Sequence, residues 1–350
     1  MARRMPLLTP PFVCMASKNV HIPPSPWQRL TRMLDTERRS IRYIIYYAIL
    51  TGLISLTLPL GTQAIFNLVS TGAVFASTYI LIAVVVLGVL LGGFLLIGQM
   101  TLVEAIEQRL FAKAAAEFAY LLPRVDPKAL EGENPPELVN RFFDILTVQK
   151  GLTKLLIDLM FAGIQVLFGV IVLSFYHPVF IGVGFFTLVM LVFIYWLNYR
   201  RALRTSLEES SYKYKTVDWL EKVAGALPKY RDNPEEQRRA MQRTDELTAD
   251  YLHARNDHFR VLKQYFGWSV ALRTVLTGGM LIAGTLFVVS RQMTLGQFVA
   301  AEVLIVQISS SIEKLVTGVS TIFDILTGVE KLAVVTDLPL VANKTSEAHA

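Results

Sequence analysis

Two long uncharged stretches dominate the pattern of apolar and polar positions. No Asp, Glu, Lys or Arg occurs between Arg42 and Glu104, and none between Asp158 and Arg200. Each stretch is long enough for two bilayer crossings of about 20 residues. Proline breaks helix interiors, so proline-free intervals bound the helices. After the N-terminal segment, prolines fall at 59, 123, 127, 135, 136, 178, 228, 234 and 339. Most of the long intervals between them join one apolar span to an amphipathic stretch, and the last holds two spans and a tail. The pattern predicts an all-α, polytopic membrane protein with six spans, near 42–66, 78–100, 154–176, 179–198, 265–289 and 294–313. Pro59 and Gly61 predict a kink in the first, which a membrane helix tolerates. Residues 175–178 turn between the third and fourth spans, and residues 290–294 between the fifth and sixth.

The two inner connections are long and read as helical. Over residues 101–122, Leu102, Ile106, Leu110, Ala114, Phe118 and Leu121 recur at helical spacing, with Glu104, Glu107, Gln108, Lys113 and Glu117 on other faces. No proline separates this stripe from the second span. Residues 78–122 therefore predict one nearly continuous helix of roughly 65 Å, about twice the hydrocarbon thickness of a bilayer. Residues 179–227 and 235–289 predict two more such rods. Together they form a stalk beyond the membrane, bending at 123–136 and around 212–232. Two readings of the stalk tips stand at this point: solvated connections, or surfaces that touch a partner.

Composition agrees. The 350 residues are 53% hydrophobic and 18% charged, with mean hydropathy +0.45, where a soluble domain carries about 25% charged residues. The net charge of +6 would suit nucleic acid, but its distribution gives another reason. Of 34 Lys and Arg, 32 fall on one side of the predicted spans. Arg273 lies inside a span and Arg291 alone on the far side. The basic side is expected to be cytosolic, with both termini there, and nucleic acid is not an expected partner. The single cysteine, Cys14, excludes an internal disulfide framework. It lies in a Pro-rich N-terminal segment, 1–26, that reads as disordered. The opening MARRMPLLTPPF has no unbroken apolar core and predicts no cleavable signal peptide. The five histidines, at 21, 177, 253, 258 and 349, show no metal-ligand spacing, and neither HExxH nor GxSxG occurs. No catalytic, cofactor or metal site is expected in this chain.

Polar groups inside spans cost about 2.5–3.5 kcal/mol when central and charged, so they are functional candidates. Asp158, Arg273 and Glu302 stand out. Glu302, with Gln307 five residues on, either faces a central path or pairs within the bundle. Arg273 and Glu302 are offset by some 13 Å along their helices, which argues against a direct pair. Asp158 sits near the inner end and marks the water boundary. Gly88, Gly92, Gly93 and Gly98 suit close helix packing. Residues 27–40 read as an interfacial helix. In it Trp27, Leu30 and Leu34 would enter the headgroup boundary and the arginines would meet anionic lipid; a plain lead-in helix is the other reading.

Five segments, in order, carry a resemblance. LTLPLGTQAIFNLV (56–69) resembles a first span and its exit. LLPRVDPKALEGENPPELVNRFFDI (121–145) resembles a segment with a first coupling helix. SLEESSYKYKTVDWLEKVAGALPKYRDNPEEQ (206–237) resembles a second. TLGQFVAAEVLIVQISSSIEKLV (294–316) resembles a sixth span with a GQ opening, and GVEKLAVVTDLP (328–339) resembles a linker into a motor domain. The family they resemble is the ATP-binding-cassette (ABC) type I exporter transmembrane domain, nearest the peptide- and protein-secretion branch of the hemolysin-secretion type. The resemblance covers about 41–339, with 340–350 a polar tail. The family's pattern after the first coupling helix is only partly matched, by Gly132 and Arg141. An N-terminal peptidase domain is not matched.

The resemblance implies an inner (plasma) membrane subunit of an ATP-driven exporter that works as a homodimer or heterodimer, with a periplasmic adaptor as a further partner. Its expected contacts to a nucleotide-binding domain are Asp126, Leu130, Glu131, Gly132, Tyr212, Tyr214 and Trp219, and Glu302, Gln307 and Arg273 would line the path. Within these 350 residues there is no GK dipeptide, so no Walker A loop, and LTGG at 276–279 lies inside a span rather than in a cassette signature. ATP and Mg are expected on a separate nucleotide-binding subunit, and the substrate is expected to be a peptide, protein or other amphipathic molecule. The alternative is a non-transporting membrane scaffold or sensor, or a truncated half-transporter, with the same fold.

Overall fold

The computed structural model describes residues 24–70, 72, 76–130 and 135–340. Cys14, Glu131, Gly132 and the 341–350 tail lie outside them. Six long helical rods carry apolar sections long enough to cross a membrane. The first comprises α1 (Pro26–Leu34), a 3-10 turn, α2 (Arg38–Ser55) and α3 (Thr57–Val69). The expected kink is a break at Leu56, three residues before Pro59, whose ring would clash with the carbonyl of Ser55 in a continuous helix. The second rod is α4 (Ala76–Leu121), 46 residues without interruption. In its lower half Val103, Ile106, Leu110, Ala114 and Phe118 form the buried stripe.

The third rod is segmented. It runs through α5 (Pro135–Asn140), a 3-10 turn, α6 (Asp144–Thr153), one π turn (Lys154–Leu159) and α7 (Met160–Ser174). The fourth rod, α8 (Pro178–Gly225), has 48 residues, so the bend expected from residue 212 begins only after Gly225. A short α9 (Leu227–Arg231) leads to the fifth rod, α10 (Pro234–Val289), whose 56 residues span about 84 Å. The sixth rod is α11 (Leu295–Thr317) and α12 (Val319–Thr336), interrupted at Gly318.

Local chemistry explains the ends. His177 caps α8 by accepting from the Val179 N–H, and its ring stacks on Phe287 at 3.8 Å, joining the two outer hairpins. Thr294 and Gln297 form a reciprocal capping box at the start of α11. Between them Gly296 lets α11 press on α3, since a Cβ there would lie 2.2 Å from Asn67 Oδ1. The GQ pair is therefore a cap and a close approach.

The third and sixth rods share one seam that runs from the stalk into the bundle. A Cβ on Gly151 would lie 2.3 Å from Ile325, one on Gly169 2.8 Å from Ile308, and one on Gly318 2.1 Å from Leu159. Small residues at helix contacts are how membrane helices gain packing contacts without a hydrophobic driving force. The other rods pack around this pair. Gly88 meets Thr57 and Gly98 meets Tyr47 in the same way, while Gly93 faces open space. Gly151→Val is predicted to destabilise the chain by about 1–3 kcal/mol through overpacking. Gly93→Val should leave stability unchanged. Thermal midpoints in one detergent compare the two.

Candidate functional site

The third, fourth and sixth rods meet in the stalk around one tyrosine. Gly328 lets α12 approach α6, with Val148 at 3.0 Å from where its Cβ would be. Tyr214 of α8 inserts beside this contact and is buried. Its hydroxyl donates to Asp144 Oδ2 on α6. Three cations lie over its ring: Lys213 Nζ at 4.8 Å, the Arg141 guanidinium at 5.1 Å and Lys331 Nζ at 5.2 Å. These come from the fourth, third and sixth rods respectively. Cation–π contacts contribute roughly 0.5–2 kcal/mol each, the more so when desolvated. Next to the ring is a polar cavity of about 70 Å³ lined by Asp144, Ser206, Glu209, Lys213, Asp324 and Thr327, among others. Ser206 and Thr327 share a hydrogen bond of 3.1 Å across it.

Burial raises the carboxyl pKa of Asp144 above the ordinary range, against the opposing pull of the Tyr214 hydroxyl, Lys213, Lys331 and Arg141. Burial, then Arg141, lowers the ammonium pKa of Lys331, and Asp144 partly offsets this. The junction thus holds a carboxylate and several cations at a desolvation cost that only their mutual geometry relieves.

Where stalk meets bundle, the same rods are interrupted side by side. The π turn of the third rod leaves the Leu156 carbonyl to accept from Gln99 Nε2 of α4, at 2.7 Å, and Gln99 is fully buried. Opposite it lies Gly318, packed on Leu159. A π turn and a helix break at one level make a joint in otherwise stiff rods. The fourth and fifth rods are instead cross-linked along the stalk. Thr205 bonds His258 at 2.9 Å, Arg255 pairs with Glu209 at 2.7 Å, and Trp219 Nε1 donates to Thr244 at 3.0 Å.

The residues expected from sequence fall in several places. Tyr214 and Trp219 point into the stalk, and Tyr212 is half-buried. The Asp126 N–H donates to the Pro339 carbonyl at 2.9 Å, and Val125 bridges Leu340, so the end of the second rod is tied to the exit of the sixth. Leu130 ends a 3-10 turn, Pro127–Leu130. Arg273 forms an ion pair with Glu313, not with Glu302. The Oε2 atom of Glu302 and the Oε1 atom of Gln307 are enclosed without a hydrogen-bond partner among the described residues. Asp158 sits in the π turn. Leu30 is buried, and Arg29 pairs with Glu330 at 3.3 Å and Asp337 at 2.6 Å, so this face of α1 meets protein rather than lipid. Trp27 stays outward, its indole N–H donating to Tyr199 Oη at 2.8 Å.

Residues 41–214 match the family model for the ABC transporter transmembrane region. This part of the chain is an ABC transporter transmembrane region. The match runs from within α2, through the second and third rods, into α8, and ends at the junction tyrosine, Tyr214. The remaining two rods complete the six-helix, all-α exporter transmembrane fold. No curated protein matches the chain. Within this ABC transporter membrane subunit, sequence reasoning missed the exposed apolar tip at Leu220, Leu227 and Met241. All three flank prolines 228 and 234 in a stretch rich in charged residues, but the sequence does not separate them from buried neighbours such as Ala240.

Because Asp144 holds its proton more tightly folded than unfolded, stability from this group is lost as pH rises through its folded pKa. Asp144→Asn is therefore predicted to match or exceed the parent in thermal midpoint at pH 7. The advantage should shrink toward pH 4, and a pH series of melting curves checks this.

Proposed function

We propose that this chain is the membrane subunit of an ATP-driven exporter, coupled to a nucleotide-binding domain carried outside these 350 residues. The carrying observation is the pairing of exporter rods with an exposed apolar stalk tip at Leu220, Leu227 and Met241. Three exposed apolar side chains at the watery end of a stalk suit a docking surface. ATP and Mg act on the nucleotide-binding partner. Closure of two such partners moves the tips, and the junction at Tyr214 passes that motion to the third and sixth rods. Two copies, identical or related, enclose the path. The stalk lies in the cytosol and the bundle in the plasma (inner) membrane, because Lys and Arg concentrate on the stalk side.

Glu302 and Gln307 are the candidate path residues. Each has an enclosed oxygen without a partner among the described residues, an arrangement costly in a bilayer unless another state of the path supplies water or a donor. The paired Arg273 is the weaker candidate. A path of this character suits a peptide, protein or other amphipathic substrate, as in the secretion branch with its periplasmic adaptor.

Co-expression with an encoded nucleotide-binding protein is expected to yield a complex with ATPase activity in lipid. Leu220→Glu with Met241→Glu should reduce that activity at least tenfold without altering the melting curve of the isolated chain. Absence of a complex with every candidate motor would contradict the reading.

A further inference from the structure

A groove of about 1010 Å³ opens between α7, α8 and α11 on the outside of the chain. Val166, Leu188, Leu191, Val192, Trp196 and Leu315 form much of its wall. Gly163 keeps it open, since no atom stands within 4 Å of where its Cβ would be. The volume reaches the top of the range of roughly 300–1,000 Å³ typical of ligand sites. From residue 188 to residue 200 the groove follows α8 for about 18 Å, close to the depth of one leaflet of a ~30 Å hydrocarbon layer.

The chemistry changes at one end only. Tyr199 and Arg200 line the stalk-side mouth. Tyr199 Oη accepts from the Trp27 indole, so two amphipathic rings frame the mouth at the level where such rings meet headgroups. Several nearby arginines are neutralised, Arg204 by Glu208, Arg255 by Glu209 and Arg273 by Glu313, and the adjacent Arg201 does not line the groove. Arg200 makes no ion pair among the described residues and is exposed. An apolar slot one leaflet deep, closed by an unpaired guanidinium, is complementary to an amphiphile with a negative head.

We propose that this groove holds a single phospholipid with an anionic headgroup, its net negative head at Arg200 and an acyl chain along residues 188–196. The assignment to the cytosolic leaflet rests on the orientation proposed above. The lipid chemistry does not, and the test below needs no motor domain.

Trp196 lies in the groove and is 76% exposed, which makes it the reporter. The full chain is placed in phosphatidylcholine bilayers doped with phosphatidylglycerol or phosphatidylcholine brominated on the acyl chains. Trp196→Phe identifies its share of the emission from the four tryptophans. Brominated phosphatidylglycerol is expected to quench that share at an about fivefold lower mole fraction, the preference one basic residue confers. Arg200→Gln should erase the preference and Arg200→Lys retain it. Equal quenching by both lipids in the parent would overturn the proposal, leaving an ordinary lipid-facing surface. No quenching by either would also overturn it, since another protein or a second copy would then cover the groove. The two-lipid comparison on the parent decides the matter even if Arg200→Gln does not fold.

Discussion

The glycine seam between the third and sixth rods is the constraint on which the rest of the architecture depends. Gly151, Gly169 and Gly318 each sit where even one added carbon would overlap the facing rod. At Gly169, within the bundle, apolar side chains gain little by leaving lipid for protein, so close backbone approach supplies the packing energy instead. The seam passes Gly318 at the joint and continues into the stalk, where Gly151 meets Ile325 and Gly328 meets Val148. Two rods held this closely at four levels cannot slide without breaking all of them. They therefore form one stiff unit, and the remaining rods are arranged by how they contact it.

That unit has one joint and one anchor. The joint is the π turn over Lys154–Leu159, satisfied by Gln99 and opposed by the break at Gly318. The anchor is Tyr214, which draws cations from three rods over its ring and binds Asp144. In the proposed exporter, motion at the tips would reach the bundle as a change of packing at this joint. The polar links between the fourth and fifth rods, such as Glu209 to Arg255 and Trp219 to Thr244, cross-link that pair along the stalk.

Most of the fold was legible in the sequence, because proline positions and charge-free runs are one-dimensional signals. The 46-residue α4 and its buried stripe, the turn at residues 175–178 and the break near Pro59 all follow from local rules. The side-chain roles were less legible. Tyr214 in a polar stretch reads as exposed until α6 and α12 close over it. Arg273 cannot be assigned to Glu313 until the register of α10 and α11 is known. The π turn carries no proline or glycine, so nothing local announces it; it shows only through the distant Gln99. Arg29 and Leu30 read as membrane-facing because α12 lies some 300 residues away in the chain and gives no local sign of its approach.

The central claim is that the third and sixth rods act as one body while the joint transmits motion. Gln165 and Ser311 face each other across the seam at 2.8 Å. Cysteines at both positions, in a background without Cys14, can be bridged in the assembled complex by a short bis-methanethiosulfonate reagent. ATPase activity in lipid, measured before and after cross-linking, reads the result directly. The account predicts that the cross-linked protein keeps its turnover. A loss of turnover that reductant restores would show that the two rods must part during the cycle, and would contradict it.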